Sequence, residues 1–236
     1  MKALIVDDER LARKELMRLL EPHAHIEVVG EAANADEAEK LLTELRPDLL
    51  FLDINMPGRD GFELLAALEA APHVVFVTAY DEHAVKAFEV NALDYLLKPI
   101  DPERLAAAIA KLALLPKAGD VQRAVLTPED RIFIRDGEKC WFVPLREVRL
   151  FESEGNYVRV RFGDNKPLVL RSLNSLEKRL DPHAFFRANR KQMINMAWVQ
   201  KIEPWFSGGL NCTLSTGEVV EVSRRQSLRF RELMGL

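Results

Sequence analysis

The chain has 236 residues and a formal net charge of −4, with 48% hydrophobic and 30% charged residues. That length suits two domains better than one, and each half has enough apolar residues to bury a core, which excludes a disordered chain. Apolar runs too short to cross a bilayer, an N-terminus that turns acidic at Asp7-Asp8, and only two cysteines, Cys140 and Cys212, argue against a membrane span, a signal peptide and a disulfide framework, so a cytoplasmic protein is expected.

The first half alternates short apolar runs with amphipathic stretches, the pattern of a parallel sheet covered by helices on both faces. The runs predict strands at Ala3–Val6, Ile26–Gly30, Leu49–Leu52, Val74–Val77 and Tyr95–Leu97. Helices are predicted at Glu9–Leu20, Ala35–Leu45, Gly61–Ala70, near His83–Glu89, and at Pro102–Leu114. Five β/α units in about 115 residues fit an α/β, flavodoxin-like doubly wound fold.

Near Pro116 the pattern changes, and residues 116–128 read as a linker between a domain at 1–115 and a second at 129–236. In the second half the strands shorten and crowd: Arg131–Arg135, Trp141–Val143, Val148–Glu152, Tyr157–Phe162, Leu168–Leu170, Val199–Glu203, Leu210–Leu214 and Val219–Val222. Two helices are predicted, Leu173–Leu180 and Arg224–Met234, so this domain is mostly β. Charge divides the same way. Residues 1–115 carry 12 Lys+Arg and 22 Asp+Glu, a net −10; the rest carry 21 and 15, a net +6. Fifteen of those 21 cations are arginine, the side chain whose planar fork suits phosphate and guanine edges.

In an open α/β sheet the reactive centre forms at the carboxyl ends of the strands. Four predicted strand ends here carry reactive side chains: Asp7-Asp8 after the first, Asp53 after the third, Thr78 after the fourth and Lys98 after the fifth. Three carboxylates in one pocket repel one another unless a cation sits among them, and an all-oxygen set suits Mg²⁺. Asp53 is then the nucleophile for an acyl phosphate, Asp8 and Asp7 hold the metal, and Asn55 offers it a backbone carbonyl. Lys98 and Thr78 supply a cation and a hydroxyl to the phosphoryl oxygens. The five histidines, at positions 23, 25, 73, 83 and 183, have no metal-binding spacing.

Val6-Asp7-Asp8-Glu9, Leu52-Asp53-Ile54-Asn55-Met56-Pro57-Gly58 with Gly61, Thr78-Ala79 and Asp94-Tyr95-Leu96-Leu97-Lys98-Pro99 together resemble the receiver domains of two-component response regulators. The resemblance implies that Asp53 accepts phosphate from a histidine kinase, that Lys98-Pro99 is a cis peptide, and that Thr78 and Tyr95 act as the switch pair. It also implies a homodimer on phosphorylation. An aspartyl-phosphate hydrolase on a similar fold is the rival reading, although such enzymes place Asp-x-Asp after the first strand.

Basic residues of the second half gather at Arg187-Ala188-Asn189-Arg190-Lys191 and at Ser223-Arg224-Arg225, without the two helices of a helix-turn-helix. Ser223 reads as an N-cap for the last helix. From about residue 130 the chain resembles the LytTR (LytR/AlgR-like) DNA-binding family, in Leu150-Phe151-Glu152-Ser153-Glu154-Gly155-Asn156-Tyr157, Arg171-Ser172-Leu173, Phe186-Arg187-Ala188-Asn189-Arg190 with Ile194-Asn195, and Val222-Ser223-Arg224. That resemblance implies control of transcription through double-stranded DNA. It makes Asn156, Arg190 and Arg224 base contacts and Arg187, Lys191 and Arg225 phosphate contacts. The family's usual histidine and serine are replaced in Asn189-Arg190-Lys191-Gln192, so the bases contacted stay open. Binding of protein or structured RNA by the basic half is the alternative.

Overall fold

A computed structural model describes residues 1–68, 70–79, 94–112, 125–137 and 139–235 of the chain. It divides into two compact units, one from Met1–Gln122 with Arg131–Phe142, the other from Arg123–Asp130 with Val143–Leu236. The expected helix near His83–Glu89, the end of the one expected to reach Leu114, and residues 116–124 of the expected linker lie outside the described residues.

The first unit is built on five parallel strands, β1 (Lys2–Val6), β2 (Glu27–Ala32), β3 (Leu49–Leu52), β4 (His73–Thr78) and β5 (Asp94–Leu97), in the order β2-β1-β3-β4-β5. This is the doubly wound order expected from the alternation of strands and helices. Successive side chains of a strand point to opposite faces. Leu4, Val6, Leu50, Leu52, Val74 and Phe76 accordingly pack on one side with α2 (Ala35–Leu45) and α3 (Gly61–Ala67). Ala3, Ile5, Leu49, Phe51, Val75 and Val77 pack on the other with α1 (Arg10–Leu20) and α4 (Pro102–Leu112). Local signals fix the helix starts. The Asn34 side chain accepts from the Glu37 N–H at 2.9 Å, and Asp60 and Glu63 form a reciprocal capping box at the head of α3.

Position along the chain puts the strands near Arg131–Arg135 and Trp141–Val143 in the second domain, yet as the hairpin β6 (Arg131–Asp136) and β7 (Lys139–Pro144) they pack, up to Phe142, with the first unit. Phe133 and Phe142 join the buried cluster of Phe62 and Phe76, and the Ala71 N–H donates to the Arg131 carbonyl at 3.1 Å. Alternation along the strand specifies an apolar face but not the surface it meets.

The second unit is antiparallel. Its five-stranded sheet runs β10 (Leu168–Val169), β9 (Tyr157–Phe162), β8 (Val148–Glu154), β12 (Gln192–Asn195), β11 (Phe185–Arg187). A three-stranded sheet holds β13 (Val199–Pro204), β14 (Leu210–Leu214) and β15 (Val219–Val222). Strands β11 and β12 escape the pattern reading, because they are short and interrupted by the charged run Arg187–Lys191. Helices α5 (Leu173–Arg179) and α6 (Arg224–Met234) fall where expected, with Phe230 of α6 buried against Phe186 at 5.0 Å between ring centroids. Buried Asn195 ties the chain together: its side-chain amide donates to the Val148 carbonyl at 2.9 Å while its oxygen accepts from the Ala197 N–H. The end of the expected linker is also part of this unit. Leu126 is buried, and its carbonyl accepts from the Asp181 N–H at 2.8 Å.

Candidate functional site

At the carboxyl edge of the parallel sheet, Asp7 and Asp8 leave β1 and Asp53 leaves β3, with the Asp53 N–H held by the Val6 carbonyl at 2.8 Å. One carboxylate oxygen from each of the three lies within 4.8 Å of the others. Asp7 and Asp53 are buried and Asp8 is exposed, so the cluster opens to solvent on one side. The Asn55 N–H donates to Asp53 Oδ1 at 3.0 Å, and the Glu9 N–H donates to Asp7 Oδ1 at 2.9 Å. These bonds leave the second oxygen of each carboxylate facing the pocket.

Lys98, just past β5, meets both: its Nζ is 2.7 Å from Asp53 Oδ2 and 2.7 Å from Asp7 Oδ2. Burial pulls the ammonium toward neutrality, but the bonds to Asp53 and Asp7 outweigh it and hold the lysine above its usual range. Burial pushes the Asp7 carboxyl up, and Lys98 and the Glu9 N–H offset only part of that. Thr78 ends β4 fully buried, and its carbonyl accepts from the Lys98 N–H at 2.9 Å. The Lys98–Pro99 peptide is cis. Tyr95 lies on β5 opposite Phe76, partly buried against the cluster that contains that residue.

In the second unit, pairing brings three chain segments to one edge. Gln192 pairs with Glu152, and the Ser153 N–H donates to the Lys191 carbonyl at 2.7 Å, so the 188–191 turn stands beside the Gly155-Asn156 turn. The Ser223 N–H donates to the Ala188 carbonyl at 3.0 Å, which attaches the start of α6 to the same turn. Asn156, Arg190, Lys191, Arg224 and Arg225 are all exposed on the surface there. Among the described residues, none forms an ion pair with those four cations. By contrast, Arg149, Arg159 and Arg161 are paired with Glu218, Glu154 and Glu152. Arg224 and Arg225 also occupy the first turn of a helix, where the dipole disfavours cations unless an anion arrives.

Two family matches cover most of the chain: the response regulator receiver domain over residues 3–110 and the LytTr DNA-binding domain over residues 138–235. Relatives match end to end. An uncharacterized response regulatory protein of Vibrio cholerae is 38% identical across 100% of this chain and 99% of its own length. The sensory transduction protein LytT of Enterococcus faecalis is 36% identical, with 100% of both chains covered. The transcriptional regulatory protein BtsR of Escherichia coli K12 is 38% identical over 100% of this chain and 99% of that one. This chain is a response regulator of the LytTr family.

Within that family the chain is a transcription regulator rather than an enzyme, a receiver followed by a LytTr DNA-binding domain. The receiver residues singled out by strand position meet in space. Two further residues support them, neither given a role by pattern reading. Arg13 of α1 is buried, donates to the Asp7 carbonyl at 2.7 Å and is paired with Glu31 at 2.8 Å, fixing the backbone of the acidic pair. Its signal is a charge on the buried face of an amphipathic helix. At Gly61 a Cβ would lie 2.5 Å from the Asp53 carbonyl oxygen, so only glycine lets α3 start against the Asp53 loop.

Arg187, expected as a phosphate contact, has a side chain 12% exposed that donates to the carbonyls of Asn189 and Arg190 at 2.7 Å each. Burial holds its guanidinium below the usual arginine value, with Glu177 at 3.5 Å offsetting part of that. Ser223 precedes α6 at the N-cap position, yet its side chain makes no capping bond. Asn189 is a further brace that the sequence does not announce. It accepts from the Lys191 N–H at 2.8 Å and donates to the Glu221 carbonyl at 2.7 Å, setting the turn that presents Arg190.

Proposed function

We propose that Asp53 accepts a phosphoryl group from a partner histidine kinase and that this modification controls sequence-specific DNA binding and transcription. The observation that carries the reading is the meeting of Asp53, Asp7, Asp8, Thr78 and Lys98 at one sheet edge, with Lys98 Nζ 2.7 Å from Asp53. A carboxylate attacks phosphorus through an oxygen, and the charge spread over the phosphoryl oxygens needs nearby cations. Lys98 is one. Mg²⁺ is the other, held by Asp8, Asp7, Asp53 and the Asn55 carbonyl; the all-oxygen donor set fits a hard divalent ion that supplies charge neutralisation.

Once Asp53 is modified, Thr78 and Lys98 engage the new oxygens and Tyr95 responds as the switch aromatic, shifting the population of receiver states. The face around the fourth and fifth strands then pairs two receivers, and tethering raises the effective concentration of the second DNA-binding domain. On the DNA side, Asn156, Arg190 and Arg224 read bases, and Lys191 and Arg225 bind phosphates. Arg187 positions the Arg190 turn. The receiver takes residues 1–115, the linker lies within 116–128, and the output domain follows in the cytoplasm, the hairpin at its start packing with the first unit up to Phe142.

Selection of bound sequences from a random duplex pool tests this reading. The full chain, phosphorylated with acetyl phosphate and Mg²⁺, is expected to enrich a short two-part motif, and Asp53→Ala to enrich it poorly. Indifference to duplex DNA, with weak salt dependence, would favour the rival, a basic domain that docks protein or RNA; equal capture of every duplex would mean a nonspecific binder.

A further inference from the structure

The turn between β13 and β14 carries two large apolar side chains in the open. Phe206 is 78% exposed and Trp205 44%, and their rings meet edge to face at 4.8 Å between centroids. This is not a loose loop. The Trp205 N–H donates to the Gly209 carbonyl at 2.9 Å and the Gly209 N–H to the Phe206 carbonyl at 3.2 Å. The Ser227 hydroxyl of α6 donates to the Gly208 carbonyl at 3.0 Å. A Cβ at Gly209 would lie 3.0 Å from the Val222 carbonyl oxygen, and at Gly208, where φ is +81°, it would lie 3.8 Å from Arg224 Cγ. Two glycines thus let the turn sit close on the end of β15 and the first turn of α6.

Leu210 pairs with Val222, so this turn leaves the three-stranded sheet at the end where Ser223, Arg224 and Arg225 begin α6. The aromatic pair therefore stands beside exposed arginines that no described acid neutralises, while Glu203, three residues before Phe206, is already paired with Lys201 at 2.9 Å. That charge selects the occupant. A second copy related by a two-fold axis through this turn would bring Arg224 and Arg225 against their own copies. Duplex DNA offers phosphates to the arginines and, in the major groove, an apolar group that a phenylalanine can touch, the C5-methyl of thymine.

We infer that Phe206, braced by Trp205, packs on a thymine methyl in the major groove next to the base read by Arg224. The inference rests on the DNA-binding reading proposed above.

Deoxyuridine lacks only that methyl, which makes it the probe. The full phosphorylated chain is bound to the duplex selected by the wild type, with thymines replaced one at a time by deoxyuridine. For wild type, one replacement within about two base pairs of the position relaxed by Arg224→Ala is expected to weaken binding about three- to fivefold, the scale of one buried methyl. Phe206→Ala is expected to bind the two duplexes alike, and Phe206→Leu, which keeps an apolar contact on the same turn, to retain most of the difference. A motif with no thymine there, a wild type indifferent to deoxyuridine, or a Phe206→Ala chain as sensitive as wild type overturns the inference and leaves the DNA reading standing. Failure of the wild type to select any motif removes both.

Discussion

The ring of Phe133 stacks on that of Phe62, 6.2 Å between centroids and 10° from parallel. Phe62 lies in α3, whose capping residue Asp60 also takes an ion pair from Arg135 of the same hairpin at 3.2 Å. The hairpin is therefore part of the receiver's core packing, with Phe142 continuing the contact to Phe133 at 4.9 Å and to Phe76 at 6.4 Å. Phe133→Ala is expected to destabilise the receiver by about 3 kcal/mol, the usual loss when a buried ring is deleted. Leu170→Ala, at a position 73% exposed, should change stability by less than about 0.5 kcal/mol. Calorimetry of the full chain checks both; equal melting of the two variants would separate the hairpin from the core.

Gly61 tests how tightly the Asp53 loop is built. An added methyl would meet the Asp53 carbonyl oxygen at 2.5 Å and the Ile54 Cα at 3.2 Å, both backbone atoms that cannot rotate away. Gly61→Ala is expected to cost roughly 1–3 kcal/mol as overpacking and to slow phosphorylation of Asp53 by acetyl phosphate. Gel-shift or mass measurement of phosphoprotein against time reads the second effect. An unchanged rate with unchanged stability would mean that the loop tolerates displacement.

The LytTr domain separates two kinds of arginine. Arg187→Ala removes a side chain bonded to two carbonyls, so it should lower stability by about 1–3 kcal/mol and weaken binding to every duplex. Arg225→Ala should leave stability unchanged but reduce the slope of log affinity against log salt by about 0.9, as expected when one fewer phosphate is neutralised. Titrations at several salt concentrations distinguish them. The assignment fails if Arg187→Ala lowers the slope without loss of stability.

Burial pushes the thiols of Cys140 and Cys212 up to about 11 each. In the unfolded chain a thiol ionises near about 8.5. The folded state thus holds a proton that the unfolded state releases, and stability must fall as pH rises across the interval between these values. Cys140→Ala with Cys212→Ala should show a shallower decline over that interval than the wild type. Both thiols should also resist iodoacetamide at about pH 8 until the chain is unfolded.

Much of the receiver was legible in the sequence because its signals are local and its topology is constrained. Strand ends put Asp7, Asp53, Thr78 and Lys98 on one edge once the sheet is parallel. Arg13 and Gly61 were harder to see, because their roles depend on what lies across space: a carbonyl of Asp7 and a carbonyl of Asp53. In the second half, β11 and β12 hid inside a charged run, since three- and four-residue strands carry too few alternations to register. The same run contained both a surface cation, Arg190, and a braced one, Arg187. Residue type alone does not distinguish them; burial and the carbonyl bonds do.

The central claim is that modification of Asp53 controls DNA binding. The most direct measurement is the affinity of the full chain for its selected duplex before and after acetyl phosphate with Mg²⁺, beside Asp53→Ala treated identically. A gain of about tenfold or more on phosphorylation, absent from Asp53→Ala, is the predicted result and matches the effect of tethering two domains on one site. Equal affinity before and after, or the same gain in Asp53→Ala, would contradict the account.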